Sequence, residues 1–155
     1  MKTLIIMRHA KTEEGKGNQK DFDRELIYKG LKDAALMALW IKKKYFKIDA
    51  IIASAALRTQ HTATIVKEIC GGSLDLLDSL YHADASEILN SVRQVHHNPD
   101  TLLVVGHNPA LSDVVSFLSH KVIELKPSDV MVFELHNQTW KEKLNVISSK
   151  HHSEY

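Results

Sequence analysis

The chain is poor in the residues that mark several classes of protein. Its 155 residues include one cysteine, three prolines and six glycines. With Cys70 alone no intrachain disulfide forms, and nothing indicates a secreted, disulfide-rich fold. The N-terminal apolar run ends in charge too early for a signal peptide, and no run approaches the roughly 18 apolar residues of a membrane helix. We therefore expect a cytoplasmic protein without a membrane partner.

The chain also lacks an excess of charge of either sign. Lysine and arginine total 20 against 19 aspartates and glutamates, which gives a net charge of +1. Such a balance provides no broad basic field for nucleic acid, so any preference for anions must be local. The length and the 44% of hydrophobic residues predict one domain over residues 1–155 with its own hydrophobic core.

Histidine, in contrast, is frequent, at ten copies. The adjacent pairs His96–His97 and His151–His152 lack the i, i+4 spacing of a helical metal site, and no cysteine or acidic cluster accompanies them. We interpret the two pairs as a helix end and a tail. The sequence predicts neither a metal nor a cofactor.

Short apolar runs alternate with amphipathic segments, which predicts an α/β fold. The expected elements are strands at 3–7, 49–54, 74–77 and 101–106 and helices at 26–46, 56–70, after Asp84 and after Asn108. Beyond Pro127, two extended runs at 129–136 and 139–148 are interpreted as a strand pair at the sheet edge, joined at Asn137-Gln138. Residues 150–155 are expected to fray.

Three of these strands are followed by arginine or histidine residues at their carboxyl ends. The first delivers Arg8 and His9, the second leads to Arg58 in the opening turn of its helix, and the fourth ends in Gly106 followed by His107. Asn108 suits a helix cap and Pro109 the first helical position. Ligands of open α/β sheets bind beyond the carboxyl ends of the strands. If the three strands are neighbours, two arginines and two histidines meet there.

This constellation suits phosphoryl transfer. Forked guanidinium donors bind phosphate, helix N-termini attract oxyanions, and no acidic cluster is present to hold a metal. His9 attacks phosphorus if it is neutral, and the charges of Arg8 and Arg58 disfavour its protonation. The alternative is a purely structural role, in which Arg58 forms an ion pair with a carboxylate and His107 is an ordinary histidine at a helix start. Each signal alone is weak, and the shared placement at strand ends favours an anion site.

Several segments resemble the histidine phosphatase (phosphoglycerate mutase-like) superfamily. The segments are RHA at 8–10, SAALRTQHT at 54–62 and GHNP at 106–109. DFDRELIYKGLKDA at 21–34 is similar to the Asp-x-x-Arg-x-Leu stretch of the small SixA-type phosphohistidine phosphatases. The resemblance implies a three-layer α/β/α fold of the phosphoglycerate mutase type, with a mostly parallel central sheet and an antiparallel edge strand.

The resemblance also implies roles for individual residues. His9 is the expected phosphoryl acceptor, and Arg8, Arg58 and His107 are expected to form the phosphate pocket. Arg24 is expected near the pocket or in a structural ion pair. The loop residues Lys11 and Thr12 either line the rim or are simply solvated.

One departure concerns the general acid, which many members of the superfamily place after the third strand. There this chain has DSLYHADASE, in which Asp84 and Glu87 have the spacing of a capping box. His82 is a candidate proton donor. An alkoxide leaving group needs a proton, whereas the imidazole of phosphohistidine leaves more readily.

The missing acid and the short loops favour one substrate class. Without a long insertion to close over it, the site is expected to be open to a side chain of another protein. We therefore predict a metal-independent phosphatase that removes phosphate from phosphohistidine in proteins. The alternatives are a small-molecule phosphomonoesterase of the same fold, acting on a phosphate ester, and a non-catalytic phosphate- or phosphopeptide-binding module. The presence of His9 argues against the last, because binding alone requires no nucleophile.

Overall fold

The computed structural model describes residues 1–45 and 47–154. Within these residues the chain alternates strands and helices, with short 3₁₀ turns at Asp21–Asp23 and Asp78–Leu80. The elements in chain order are β1 (Lys2–Arg8), α1 (Tyr28–Tyr45), β2 (Ala50–Ser54), α2 (Leu57–Cys70), β3 (Ser73–Leu77), α3 (Ala85–Arg93), β4 (Thr101–Gly106), α4 (Ala110–Ser119), β5 (Val130–Leu135) and β6 (Val146–His152). No helix among the described residues has the length and apolarity required to cross a membrane.

The strands form one sheet in the order β3-β2-β4-β1-β5-β6. The first four are parallel, β5 runs antiparallel to β1, and β6 runs antiparallel to β5. Apolar residues of α1 and α2 pack on one face of the sheet and those of α3 and α4 on the other. The predicted three-layer, mostly parallel architecture with antiparallel strands at one edge is therefore confirmed.

The central strands explain this arrangement. Leu4–Met7 of β1 and residues 102–105 of β4 are continuous apolar runs, and both are fully buried. A run without polar alternation suits a strand that is covered on both faces. The strand pairs β2–β4 and β4–β1 are adjacent in the sheet, so the three strands that lead to the arginine and histidine residues are neighbours, as the sequence analysis required.

The predicted helices need small corrections. The first begins at Tyr28 rather than residue 26, because Leu26 pairs with Thr12 in an isolated antiparallel bridge. Its predicted last residue, Phe46, lies outside the described residues. Gly30, in its first turn, approaches the loop so closely that an added Cβ would lie 2.1 Å from the Lys11 carbonyl oxygen. Glycine is therefore required at this position to hold the loop that follows His9.

Two helix starts were predicted from capping residues. The capping box of Asp84 and Glu87 is confirmed, since each side chain accepts a hydrogen bond from the other residue's backbone N–H. The fourth helix begins at Ala110, so Pro109 precedes it and the predicted first helical position was wrong. Asn108 nevertheless acts on the helix start, because its Oδ1 accepts from the backbone N–H of Ser112.

The predicted strand pair at the sheet edge is confirmed, with β5 inside the predicted run 129–136, but the second strand was predicted in the wrong place. The second strand is β6, and residues 136–145 form the connection instead of a tight turn at Asn137-Gln138. Trp140 is buried in this connection and donates from Nε1 to the Pro99 carbonyl, while buried Asn137 bonds to the backbone of Lys143 and Asn145.

Residues 150–152 do not fray, since they pair with β5. His151 Nε2 lies 3.1 Å from an Asp129 carboxylate oxygen, and the ring of His152 stacks on Trp40 at 4.1 Å. These contacts attach the tail to the sheet. The last predicted tail residue, Tyr155, is outside the described residues.

Candidate active site

Neighbouring strands place two histidine rings side by side. Arg8 ends β1 and is paired with Gly106, which ends β4. The next residues are His9 and His107, and the backbone N–H of His9 donates to the Gly106 carbonyl at 3.1 Å. As a result, the two ring centroids lie 5.4 Å apart, with the ring planes inclined by 60°. Ser54, at the end of β2, completes the edge.

His9 is held as a neutral imidazole with a defined tautomer. The side chain is 7% exposed, and Nδ1 lies 2.8 Å from the Ala10 carbonyl oxygen. Because a carbonyl only accepts, we assign the proton to Nδ1, which leaves the lone pair on Nε2. Burial is the main cause that lowers the pKa of His9 to about 3, and the charges of His107, Arg58 and Arg8 act in the same direction.

His107 is oriented through Ser54. Nε2 of His107 lies 2.8 Å from Ser54 Oγ, which itself accepts from the backbone N–H of Ala56. The serine hydroxyl proton is therefore available to His107 Nε2, which places the imidazole proton on Nδ1. Nδ1 is buried and has no hydrogen-bond partner among the described residues. Burial, followed by the charge of Arg58, lowers the pKa of His107 to about 4.

Arg58 lies in the opening turn of α2 and is 6% exposed. Nη1 donates to the backbone carbonyl of Asp21 at 2.7 Å, and Nη2 donates to Asp21 Oδ2 at 3.0 Å. Nε is buried and has no hydrogen-bond partner within the described chain. Arg8, half-buried, donates from Nη1 to the Leu125 carbonyl at 3.0 Å. Both guanidinium groups are thus fixed by the fold before any ligand binds.

Asp21 and Tyr81 form the outer part of the site. The Tyr81 hydroxyl donates to Asp21 Oδ2, and this bond, with the charge of Arg58, lowers the pKa of Asp21. The Tyr81 ring centroid lies 5.6 Å from that of His107 and 5.9 Å from the Arg58 guanidinium carbon. Tyr81 therefore touches the same space as the residues at the strand ends.

The resulting pocket is suited to an oxyanion. It combines a neutral imidazole, His9, with two buried groups that lack partners among the described residues, His107 Nδ1 and Arg58 Nε. A tetrahedral anion would satisfy these donors, since buried polar groups are normally hydrogen-bonded. A cavity of about 340 Å³ opens beside His107 and Tyr81. A larger cavity of about 740 Å³, between residues 93–98 and 139–141, contains none of these groups.

A family model named histidine phosphatase superfamily (branch 1) matches residues 4–88. The chain belongs to this superfamily. An uncharacterised protein of Mycobacterium tuberculosis strain H37Rv is 31% identical over 113 residues, which cover 73% of this chain and 70% of that protein. An uncharacterised chloroplastic protein of Arabidopsis thaliana is 27% identical over 150 residues, 90% of this chain and 69% of that protein.

Solved structures share the fold of this histidine phosphatase-superfamily protein. The protein histidine phosphatase SixA, complexed with tungstate, superposes with a TM-score of 0.77 at 21% identity and covers 92% of this chain and 94% of its own. The phosphoserine phosphatase of Entamoeba histolytica, in complex with 3-phosphoglyceric acid, gives a TM-score of 0.63 at 17% identity and covers 96% of each chain. At these identities the likeness establishes the fold.

Of the other candidate site residues, Arg24 and His82 lie next to this pocket. Arg24 donates from Nη2 to Thr12 Oγ1 at 3.2 Å, and its Nε lies 3.4 Å from Asp21 Oδ1, so it braces the loop and also neighbours the site. Lys11 is exposed. His82 is exposed on the rim, with its ring 4.1 Å from that of Tyr81. Its role as proton donor stays a prediction.

Sequence reasoning missed two contributors. Asp21 lies in the 3₁₀ turn at 21–23 and contacts both Arg24 and Arg58. The available signal in the sequence was the Asp-x-x-Arg spacing, because Asp21 is its first residue. Tyr81 follows a short strand and a 3₁₀ turn, where no periodicity sets it apart. Its place in the site depends on how the loop after β3 crosses the sheet edge.

The low pKa values of the site histidines predict an acid-sensitive fold. In the unfolded chain these groups titrate near 6.5, whereas in the folded state His9 titrates at about 3 and His107 at about 4. The unfolded state therefore binds more protons in between, and stability falls as the pH drops through this window. When the pH is lowered from about 7.5 to about 5, the free energy of unfolding should fall by about 2 kcal/mol less in His9→Gln than in the wild type.

Urea unfolding at the two pH values measures this difference. The control is His96→Gln, because His96 is exposed and lies outside the site; it should retain the full pH dependence of the wild type. An unchanged pH dependence in His9→Gln would show that His9 is not a source of the acid sensitivity.

Proposed function

We propose that this protein is a metal-independent phosphatase that acts through a phosphohistidine intermediate on His9. The observation that carries the proposal is the neutral His9 imidazole, whose Nε2 keeps its lone pair near His107 Nδ1 and Arg58 Nε, two donors that have no hydrogen-bond partner in the described part of the chain. In the first step Nε2 attacks phosphorus in line with the leaving group, and Arg8, Arg58 and His107 bind the phosphoryl oxygens. Water then hydrolyses phospho-His9.

The proposed substrate is phosphohistidine in proteins. The pocket opens at the carboxyl ends of the strands, and its rim consists of the exposed or half-exposed residues Asp21, Tyr81 and His82, so a side chain on another protein has access. The described SixA structure, of a protein histidine phosphatase with tungstate, has the same fold. In the segment after β3, Asp84 and Glu87 each accept a hydrogen bond from the other's backbone N–H, which supports a helix-capping role for them rather than that of a general acid.

The test compares phosphate release from a peptide phosphorylated on histidine with release from p-nitrophenyl phosphate, both in the presence of a chelator. We expect release from the phosphohistidine peptide to be the faster reaction, judged by kcat/KM, and the chelator to leave it unchanged. Release from the aryl ester alone would assign the protein as a phosphomonoesterase. Binding of the peptide without turnover would assign it as a phosphopeptide-binding module.

A further inference from the structure

The Asp21 side chain lies beside Arg58 and Tyr81 at the edge of the site. Its Oδ2 accepts hydrogen bonds from Arg58 Nη2 and from the Tyr81 hydroxyl. Its Oδ1 accepts no hydrogen bond from the described residues and lies 3.4 Å from Arg24 Nε. The Asp21 side chain is 54% exposed, whereas the Arg58 side chain is 7% exposed. Oδ2 is thus anchored by the site, whereas Oδ1 has an ion-pair contact with Arg24 but no hydrogen-bond donor among the described residues.

Aromatic rings border this edge of the site. The ring of Tyr81 has Phe22 at 5.0 Å in an edge arrangement and His82 at 4.1 Å. The cavity of about 340 Å³ adjoins Tyr81, His82 and His107. In an in-line transfer the leaving group lies opposite the attacking nitrogen. In the proposed reaction the buried His9 attacks from inside the site, so an in-line leaving group would face the rim, on which Tyr81 lies.

We propose, building on the proposed function, that Asp21 binds the leaving imidazole of phosphohistidine. Oδ1 accepts a hydrogen bond from the ring N–H that is distal to phosphorus, and this keeps the distal nitrogen protonated. Asp21 is therefore a catalytic residue that selects a nitrogen leaving group.

The bond changes then balance without a general acid. The lone pair of His9 Nε2 forms the new N–P bond, and the electron pair of the breaking P–N bond returns to the substrate ring. Since that ring keeps its distal proton, it leaves as neutral imidazole instead of imidazolate. The positive charge passes to the phosphorylated ring of His9, whose Nδ1–H donates to the Ala10 carbonyl.

The two imidazoles are held by equivalent contacts. On the nucleophile side the Ala10 carbonyl accepts from Nδ1–H, and on the leaving-group side the Asp21 carboxylate accepts from the substrate N–H. A phenolate or alkoxide oxygen has no N–H to donate, so an ionised Asp21 repels it. The hydrogen bond from Tyr81 keeps Asp21 in its charged form by lowering its pKa.

The experiment uses Asp21→Asn and three substrates. These are the phosphohistidine peptide, the same peptide built with N-methylhistidine and phosphorylated on the remaining nitrogen, and p-nitrophenyl phosphate. Loss of a charged hydrogen-bond acceptor is expected to lower kcat/KM for the phosphohistidine peptide by about 10- to 100-fold. Asp21→Asn also weakens the anchor of Arg58, so kcat/KM should fall for all three substrates. The loss for the phosphohistidine peptide should exceed the loss for the other two, which lack the N–H, by about 10-fold or more. Asp23→Asn, on the same turn, is the matched control for all three.

The outcomes separate the claims. An equal loss on all three substrates would mean that Asp21 acts only by positioning Arg58, which would overturn the proposal. An equal loss on both peptides, with a smaller loss on the aryl ester, would limit the role of Asp21 to its charge and refute the hydrogen bond. If the wild-type protein fails to release phosphate from the phosphohistidine peptide, the proposed function itself fails, which is visible before any variant is made.

Discussion

Replacing His9 by glutamine is expected to lower kcat/KM for phosphate release by about 10³-fold or more, as is typical of the loss of an enzyme nucleophile. Glutamine retains hydrogen-bonding capacity and a comparable volume, but it has no lone pair able to form an N–P bond. The pocket donors His107 Nδ1 and Arg58 Nε are unaltered by the substitution. Binding of phosphate should therefore survive while turnover is lost.

The intermediate provides a direct measurement. Wild-type protein mixed with excess radiolabelled phosphohistidine peptide and quenched in alkali should carry the label on its own chain. The label should be stable in base, labile in acid and located on His9 by peptide mapping. His9→Gln should carry none, and His96→Gln should match the wild type because His96 is exposed and remote. Label on another residue, or turnover by His9→Gln, would refute the covalent mechanism.

Replacing Arg58 by glutamine is expected to lower kcat/KM by about 10²- to 10³-fold, the usual effect of removing one preorganised donor to the transition state. Arg58 combines an Nε that lacks a partner among the described residues with two nitrogens anchored on Asp21. Arg58→Lys should restore little of this activity. A single ammonium group cannot donate to Asp21 and to a phosphoryl oxygen at once in the fixed geometry of a planar guanidinium.

Arg24→Gln is the matched control for Arg58. Arg24 also carries a guanidinium beside Asp21, but its Nη2 donates to Thr12 and it contacts Asp21 on the outer oxygen. We expect its removal to lower kcat/KM by less than about 10-fold, as for a partly exposed ion pair. Steady-state rates on p-nitrophenyl phosphate, with thermal unfolding to verify the fold, distinguish the two. Equal losses would show that Arg58 has no special role in binding the phosphoryl group.

The parallel core of the fold was predictable because its signals are local. Runs such as residues 102–105 contain only apolar residues and are followed by Gly106, and α2 carries an apolar stripe that ends at two glycines. The β5–β6 region was not predictable in the same way. Its connection includes Trp140, an apolar residue that the pattern placed in a strand, and the structure buries it beneath Pro99 by a hydrogen bond to a residue 41 positions away.

The candidate site divides along the same line. Arg8, His9, Arg58 and His107 each follow a recognisable strand or begin a helix, and the connectivity of a parallel sheet brings such positions to one edge. Asp21 lies in one 3₁₀ turn and Tyr81 directly follows another, and neither turn has a periodic sequence pattern. The two residues are 60 positions apart in the sequence and form a hydrogen bond. Which histidine nitrogen carries the proton also depends on remote groups, such as Ser54 for His107.

The sequence by itself determined the α/β class, the order of the elements through β4 and the four residues at the strand ends, because burial pattern and turn chemistry act over a few neighbouring residues. Tertiary structure alone decided the neutral state of His9, the contacts of Asp21 with Arg58 and the placement of Tyr81. The physical reason is that desolvation, hydrogen-bond partners and ring contacts depend on distances between segments far apart in the chain, which only the packed sheet and its loops set.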